Sequence, residues 1–443
     1  MKKHFGLLFF LLGLNVLWSQ NRPNVIFILA DDLCLGDLSH FNPEYTNTPH
    51  IDQLIERGVW FDQAYSASAV CAPARAALLT GKYPHSTGVV SLNMEDYPQY
   101  THLDPRFHTL GDVFQENGYY TGLIGKWHLG FGNGYHPMDR GFHEFKGFLG
   151  FDIDTYFKYQ LDINRKYQSF DGPYLTEVLT KYAVQFIEEN QNQPFLLKLA
   201  HYTPHRPLSA PQDLIDAYVA KGLDQNTATI YAMVEIMDRG IGQLMDKLEE
   251  LNLLENTIVI FASDNGPDPI PGQRFNLNLT GEKYAVNEGG IRIPFIFNWK
   301  DQWQQKKVSE VVHFVDVVPT LMELCQLKSE RIGTLDGVSF APLLQENGVY
   351  SAPNYRCWQW NRGVPMYSHN AALRIDNWKL VRPFVTRGLP RGESELEPKL
   401  YDISQDPSEE HDVSSEHPRV YNRLKVMLED WCRKMEHKRL KLY

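Results

Sequence analysis

No stretch of this 443-residue chain is rich in lysine and arginine, and its formal charge is −11. That balance argues against a general binder of nucleic acid or of anionic membranes, so any anionic substrate must be held by a local basic pocket. Cysteine is scarce: Cys34, Cys71, Cys325, Cys357 and Cys432 are widely spaced, odd in number, and form neither a CxxC pair nor a zinc-ribbon spacing. With Cys71 set aside four remain, and their spacing does not say whether any of them pair. Internal repeats and low-complexity segments are absent. The apolar run from Phe5 to Leu17 is too short to span a bilayer comfortably. It follows Lys2 and Lys3 and precedes Ser19, the layout of a secretory signal peptide over residues 1–19. We therefore expect a periplasmic or secreted protein without stable membrane insertion, a retained N-terminal anchor being the alternative.

What is present is enough apolar sequence, 43%, to bury a large core. Short apolar runs at 24–30 (NVIFILA), 119–125, 194–200, 257–263 and 294–299 read as strands buried on both faces, as in a parallel sheet covered by helices. Between them, the segment from Thr48 to Gly58 carries a helix-start Pro49 and a stop glycine, and 227–253 carries apolar residues at helical spacing. Beyond about residue 345 the pattern changes to alternating stretches with turns and a closing amphipathic helix. The expected architecture is α/β: a large mixed, mostly parallel sheet between helices over 20–345, then a smaller C-terminal α+β subdomain over 346–443 with an antiparallel sheet.

Four of the apolar runs end in polar groups: Asp31-Asp32, Lys126-Trp127-His128, the stretch with His201 and His205, and Asp264-Asn265-Gly266. In open α/β sheets the ligand site lies outside the carboxyl ends of the strands. Taken singly each has a plain reading, as a helix cap, a turn or a surface pair. Their repetition points to one site. Asp31, Asp32, Asp264 and Asn265 form an oxygen-rich ligand set suited to calcium or magnesium rather than zinc. Arg75, Lys126, His128, His205 and Lys283 add positive charge and donors, which fits a tetrahedral oxyanion ester.

The stretch CAPARAALLTGKYP leaves Cys71 open as a small apolar residue, a thiol nucleophile, a metal ligand or a residue modified after synthesis. It resembles the CxPxR signature of the type I sulfatases of the alkaline-phosphatase superfamily. NVIFILADDLCLGDL, GKWHLG, PHRPLSAP, SDNGP and GEKYAVNEGGIRIP resemble further motifs of that family, and KLYDISQDPSEEHD resembles its C-terminal subdomain. The resemblance covers nearly the whole chain after the leader. It implies that a formylglycine-generating maturation enzyme oxidises Cys71 to Cα-formylglycine. One hydroxyl of the hydrated aldehyde then attacks sulfur, and deprotonation of the other expels sulfate. It also implies one calcium ion held by Asp31, Asp32, Asp264, Asn265 and the modified Cys71. Arg75 would hold the diol, Lys126 and Lys283 would grip sulfate, His128 would assist aldehyde regeneration, and His205 would protonate the leaving alcohol. Cys34 and Leu35 depart from the family, which more often has Gly and an aromatic there. His201 matches no functional position and reads as structural or substrate-facing.

The expected reaction is hydrolysis of sulfate esters on a sulfated oligo- or polysaccharide. The alternative is a phosphonate monoester or phosphodiester hydrolase of the same superfamily. A non-enzymatic carbohydrate-binding relative would need a degraded site. Substrate-binding candidates are His136, Arg140, Arg274, Trp360 and Arg362, with His102, Arg206 and Trp358 in reserve, basic groups for acidic substituents and tryptophans for sugar rings.

Overall fold

The computed structural model describes residues 22–92, 98–150, 153–345, 348–360, 370–383 and 396–442. Both the expected leader and Arg362 lie outside the described residues. The strands are β1 (Asn24–Ala30), β2 (Val59–Phe61), β3 (Ala64–Tyr65), β4 (Tyr120–Lys126), β5 (Glu144–Phe148), β6 (Lys158–Ile163), β7 (Lys166–Asp171), β8 (Phe195–Ala200), β9 (Thr257–Ser263), β10 (Phe295–Asn298), β11 (Lys306–Val308), β12 (Val312–His313), β13 (Arg356–Gln359), β14 (Ala371–Ile375), β15 (Trp378–Arg382) and β16 (Lys399–Asp402). Ten of them form one sheet in the order β11-β2-β10-β9-β1-β8-β4-β5-β6-β7. The stretch β9-β1-β8-β4-β5 is parallel throughout. The run at 294–299 is the exception to the parallel expectation, because β10 pairs antiparallel with both β9 and β2.

The near-continuous apolar sequence of β1 is explained by its position, since both faces are covered. Val25, Phe27 and Leu29 point into one core and Ile26, Ile28 and Ala30 into the other. The first core is closed by α2 (Cys71–Thr80), and the second by α1 (Pro49–Arg57), α5 (Leu175–Asn190) and α7 (Gln225–Glu250), where α3 is Pro84–Thr87, α4 is Leu110–Glu116 and α6 is Gln212–Val219. Each fully buried Leu, Ile or Phe here contributes about 1.5–3 kcal/mol. The short α8 (Glu288–Ile291), α9 (Val317–Leu324) and α10 (Ala341–Leu344) lead to a four-stranded antiparallel sheet, β13-β14-β15-β16, and to α11 (Pro418–Leu440).

That C-terminal sheet has no core of its own. One face, with Cys357, Leu373, Leu380 and Leu400, joins α11 in the core that also holds α2. The other face, with Trp358, Ala372, Val381 and Tyr401, packs against Tyr65, Ala69, Val286 and Ile291 of the large unit. Among the described residues no helix is long and apolar enough to cross a membrane.

Candidate active site

The four adjacent parallel strands β9, β1, β8 and β4 are those whose sequences end in polar residues, so their carboxyl ends deliver these groups to one place. Asp31 and Asp32 follow β1, Lys126 closes β4, His205 lies beyond β8, and Asp264 and Asn265 follow β9. Gly125 makes the exit of β4 possible: its φ is 101°, and a Cβ there would meet Ala200 O at 1.9 Å. Cys71 arrives from elsewhere, as the first residue of α2, behind the extended Val70. Its position turns the positive end of the helix toward the acids.

All of these groups are buried. Asp31 Oδ1 accepts from Cys71 Sγ at 3.4 Å, and Asp31 Oδ2 accepts from Lys126 Nζ at 2.5 Å and lies 3.3 Å from an Arg75 terminal nitrogen. Asp32 Oδ2 accepts from Lys283 Nζ at 2.7 Å and lies 3.7 Å from His205 Nε2. Asp32 Oδ1 accepts from Asn265 Nδ2 at 2.6 Å. Arg75 donates from Nε to Asp264 Oδ2 at 2.9 Å and from one terminal nitrogen to Lys126 O at 3.0 Å, while its other terminal nitrogen lies 2.7 Å from Asp264 Oδ2. Ligand atoms of Asp31, Asp32, Cys71 and Asp264 all lie within 4.8 Å of one another. Asn265 Oδ1 is buried beside them with no partner among the described residues.

Electrostatics follow from this crowding. Burial alone would raise the Asp31 carboxyl, but Lys126, His205 and Arg75 together hold it well below its ordinary range. Asp264 is pushed the other way, up to about 6, by burial and by the charge of Asp31. Burial and then Asp31 drive the Cys71 thiol well up, so the unmodified cysteine stays protonated and is a poor nucleophile. Burial and the cations Lys283 and Lys126 hold His205 neutral. His128 is likewise held neutral by burial and Lys126; its φ is 60°, and Nε2 lies 3.0 Å from Leu92 O. Three carboxylates that converge with an unpartnered amide oxygen suit a hard cation. The donor set therefore fits a hard divalent cation, calcium or magnesium.

The structure thus brings together Asp31, Asp32, Cys71, Arg75, Lys126, His205, Asp264, Asn265 and Lys283, with His128 at their edge. The expected substrate-binding residues fare differently. His136 is buried, its Nε2 3.1 Å from Asp162 Oδ2 and its Nδ1 accepting from Met138 N. Arg140 is buried and spends both terminal nitrogens on the carbonyls of Leu103, Asp104 and Phe107. Arg274 donates to both oxygens of Asp37 and to Asp32 O, so it braces the loop that carries the acid pair. Trp360 is buried against Tyr284, and Trp358 donates to Ser66 O. Each was expected to face substrate and is instead used inside the fold.

The departure at Cys34 has a local account: Cys34 N donates to Asp37 Oδ2 and its thiol to Phe275 O at 3.6 Å, so it serves the same brace as Arg274. His201 is fully buried, neither ring nitrogen is partnered among the described residues, and burial lowers its pKa to about 3. Sequence reasoning missed Lys198, which sits on β8 on the face toward α2 and is held well below its ordinary pKa by burial and by Arg75. The one lysine inside FLLKLA was the available signal. A cavity of about 1290 Å³, lined by Arg57, Asp246, Trp299, Trp303 and Gln345 among others, contains none of these site residues.

Comparison with known proteins bears on this cluster. The family model described as Sulfatase matches residues 23–327. A second, described as N-sulphoglucosamine sulphohydrolase, C-terminal, matches 281–437. An N-acetylgalactosamine-6-O-sulfatase of Bacteroides thetaiotaomicron is 27% identical over 93% of both chains. The N-acetylgalactosamine-6-sulfatase of Canis lupus familiaris is 30% identical over 75% of this chain and 68% of the relative. The crystal structure of Ps i-CgsB superposes with a TM-score of 0.81 at 30% identity, covering 93% of each chain, and has also been solved in complex with k-i-k-neocarrahexaose.

Proposed function

The chain belongs to the sulfatase family, and from that premise we propose that it removes sulfate from a sulfated oligo- or polysaccharide, with Cys71 converted to Cα-formylglycine. It is a sulfuric ester hydrolase. The observation that carries the finer reading is the convergence of Asp31, Asp32 and Asp264 on Cys71 at a helix N-terminus, beside the unpartnered Asn265 Oδ1. Asp31, Asp32, Asp264, Asn265 and the converted Cys71 would hold calcium, which supplies positive charge against the developing charge on the sulfate oxygens. Formylglycine, as its hydrate, supplies an oxygen nucleophile for sulfur and a second hydroxyl whose deprotonation releases sulfate.

The remaining work falls to the chain's own residues. Lys126 and Lys283, now on Asp31 and Asp32, would turn their Nζ donors to sulfate oxygens. Arg75, one helical turn from Cys71, keeps Asp31 and Asp264 facing position 71. The negative charge of a bound sulfate ester would offset Lys126 and Lys283 and favour the protonated form of His205, which then donates a proton to the leaving alcohol, and His128 accepts one as sulfate departs. Burial of the whole set excludes water and strengthens each of these interactions. Two relatives favour a glycan substrate, the galactosamine sulfatase and the structure holding a neocarrahexaose. The leader-like N-terminus favours a periplasmic or secreted enzyme matured by a formylglycine-generating partner.

The test is sulfate release, read by ion chromatography, from a panel of sulfated oligosaccharides and a generic aryl sulfate. The protein is co-produced with the maturation enzyme, and Cys71→Ala is the control. Release from a glycan, lost in the control, supports the reading. Confirmed aldehyde at position 71 without release from any glycan sulfate would overturn the glycan assignment and call for phosphonate and phosphodiester substrates.

A further inference from the structure

One guanidinium at the rim is used by none of these steps. Arg206 directly follows His205, whose Nδ1 lies 2.6 Å from Arg206 O. Its side chain is 37% exposed, where those of Arg75, Lys126 and Lys283 are between 0% and 3% exposed. Nε donates to Asp268 Oδ2 at 2.6 Å, and Asp268 is itself buried, its other oxygen accepting from Ile270 N. No described residue takes the two terminal nitrogens. Arg206 follows His205, whose Nε2 lies 3.7 Å from Asp32 Oδ2, and Asp268 follows Pro267, whose carbonyl accepts from Lys283 N at 2.8 Å, so the Arg206–Asp268 pair sits at the edge of the acid cluster.

The other two described arginines considered for substrate recognition show what a purely structural guanidinium looks like. Arg140 directs both terminal nitrogens to carbonyls, and Arg274 holds a carboxylate and a carbonyl. Arg206 is clamped at one edge and open at the other. A fork of N–H donors fixed in direction by a buried carboxylate is prepared for bidentate contact with anionic oxygens, and little side-chain freedom remains to be lost on binding.

Resting on the reading of the site as a glycan sulfatase, we propose that Arg206, oriented by Asp268, is a specificity residue that recognises a second anionic group, a carboxylate or another sulfate, beside the scissile ester. The test compares kcat/KM for three glycan disaccharides, one monosulfated, one with an added carboxylate and one with an added sulfate, and for 4-nitrocatechol sulfate. Arg206→Ala lowers the ratio of the doubly anionic glycan to the aryl sulfate by about 10- to 100-fold, mainly through KM. Arg206→Lys keeps the charge but not the fork and loses an intermediate amount, and Asp268→Asn loses less than Arg206→Ala. Whichever added group shows the drop identifies the anion. Equal losses on all substrates, or none, would overturn the proposal while leaving the glycan reading intact. Wild-type hydrolysis of the aryl sulfate alone would remove the glycan reading and this proposal together. Unchanged melting temperatures of the variants exclude misfolding as the cause.

Discussion

Two buried ionic clusters share the segment 281–291, which sends Lys283 into one and Glu288 into the other. In the site, Asp31, Asp32 and Asp264 meet Arg75, Lys126 and Lys283, yet the acids still crowd one another and Asn265 Oδ1 has no partner. At the seam with the C-terminal sheet, Lys379 Nζ sits 2.8 Å from Glu288 Oε1 and 3.0 Å from Glu409 Oε1. Glu288 Oε2 also accepts from Tyr65, which in turn accepts from Arg374. Glu288 and Glu409 share that lysine and no third carboxylate joins them, whereas in the site three carboxylates converge with Cys71 within 4.8 Å. Buried charge that closes on itself joins two parts of a fold, whereas buried charge left open toward one point calls for a ligand.

The sharpest contrast comes from removing one member of each cluster. Cys71→Ala should cut sulfate release by about 10⁴-fold or more with almost no change in thermal stability, because a small buried side chain is exchanged at a helix start. Lys379→Met should do the reverse. It strands Glu288 and Glu409 without their shared cation, costing about 3–5 kcal/mol in urea denaturation. An unaltered urea midpoint in that variant would show that the seam contributes nothing to stability.

Chelation separates the clusters further. A chelator should lower the melting temperature of the wild type, and added calcium should restore it, with about 2.7 kcal/mol of stabilisation at a hundredfold excess over Kd. Lys379→Met should keep that response and Asp264→Asn should lose most of it. Loss of the response in Lys379→Met alone would contradict the assignment of the ligands.

The smallest effect concerns pH. Burial would raise Glu288, but Lys379, Arg374 and Arg292 outweigh it and hold its pKa at about 2, below the ordinary 4.5. A depressed carboxylate contributes stability that is fully present above its unfolded pKa and is lost as pH falls from about 4.5 toward 2. Glu288→Gln should therefore flatten the acid limb of a stability–pH profile by about 2 kcal/mol. An identical acid limb in the variant would remove Glu288 from that role.

The buried cluster of acids and bases around Cys71 was legible in the sequence because each part is local. An acid pair after a buried strand, a Lys-x-His after another and a cysteine one turn before an arginine are all short-range patterns. Parallel pairing then makes their convergence a matter of topology. The residues expected to face substrate were not legible in the same way. Arg140, Arg206 and Arg274 are alike in sequence, and only their partners, 33 to 37, 62 and 237 residues away, tell a brace from an open fork. Lys198 was hidden by the apolar run around it, and the clamp between Glu288 and Lys379 spans 91 residues.

The sequence by itself determined five of the ten strands of the central sheet, the polar groups at the ends of four of them, the position of Cys71 at a helix start and the family to which these belong, since each depends on neighbours a few residues apart. Tertiary structure alone decided that β10 runs antiparallel, that the C-terminal sheet shares its cores with the large unit, and which buried charges find partners within the chain. Pairing across tens to hundreds of residues depends on where the packed elements bring each charge, and no local pattern records that distance.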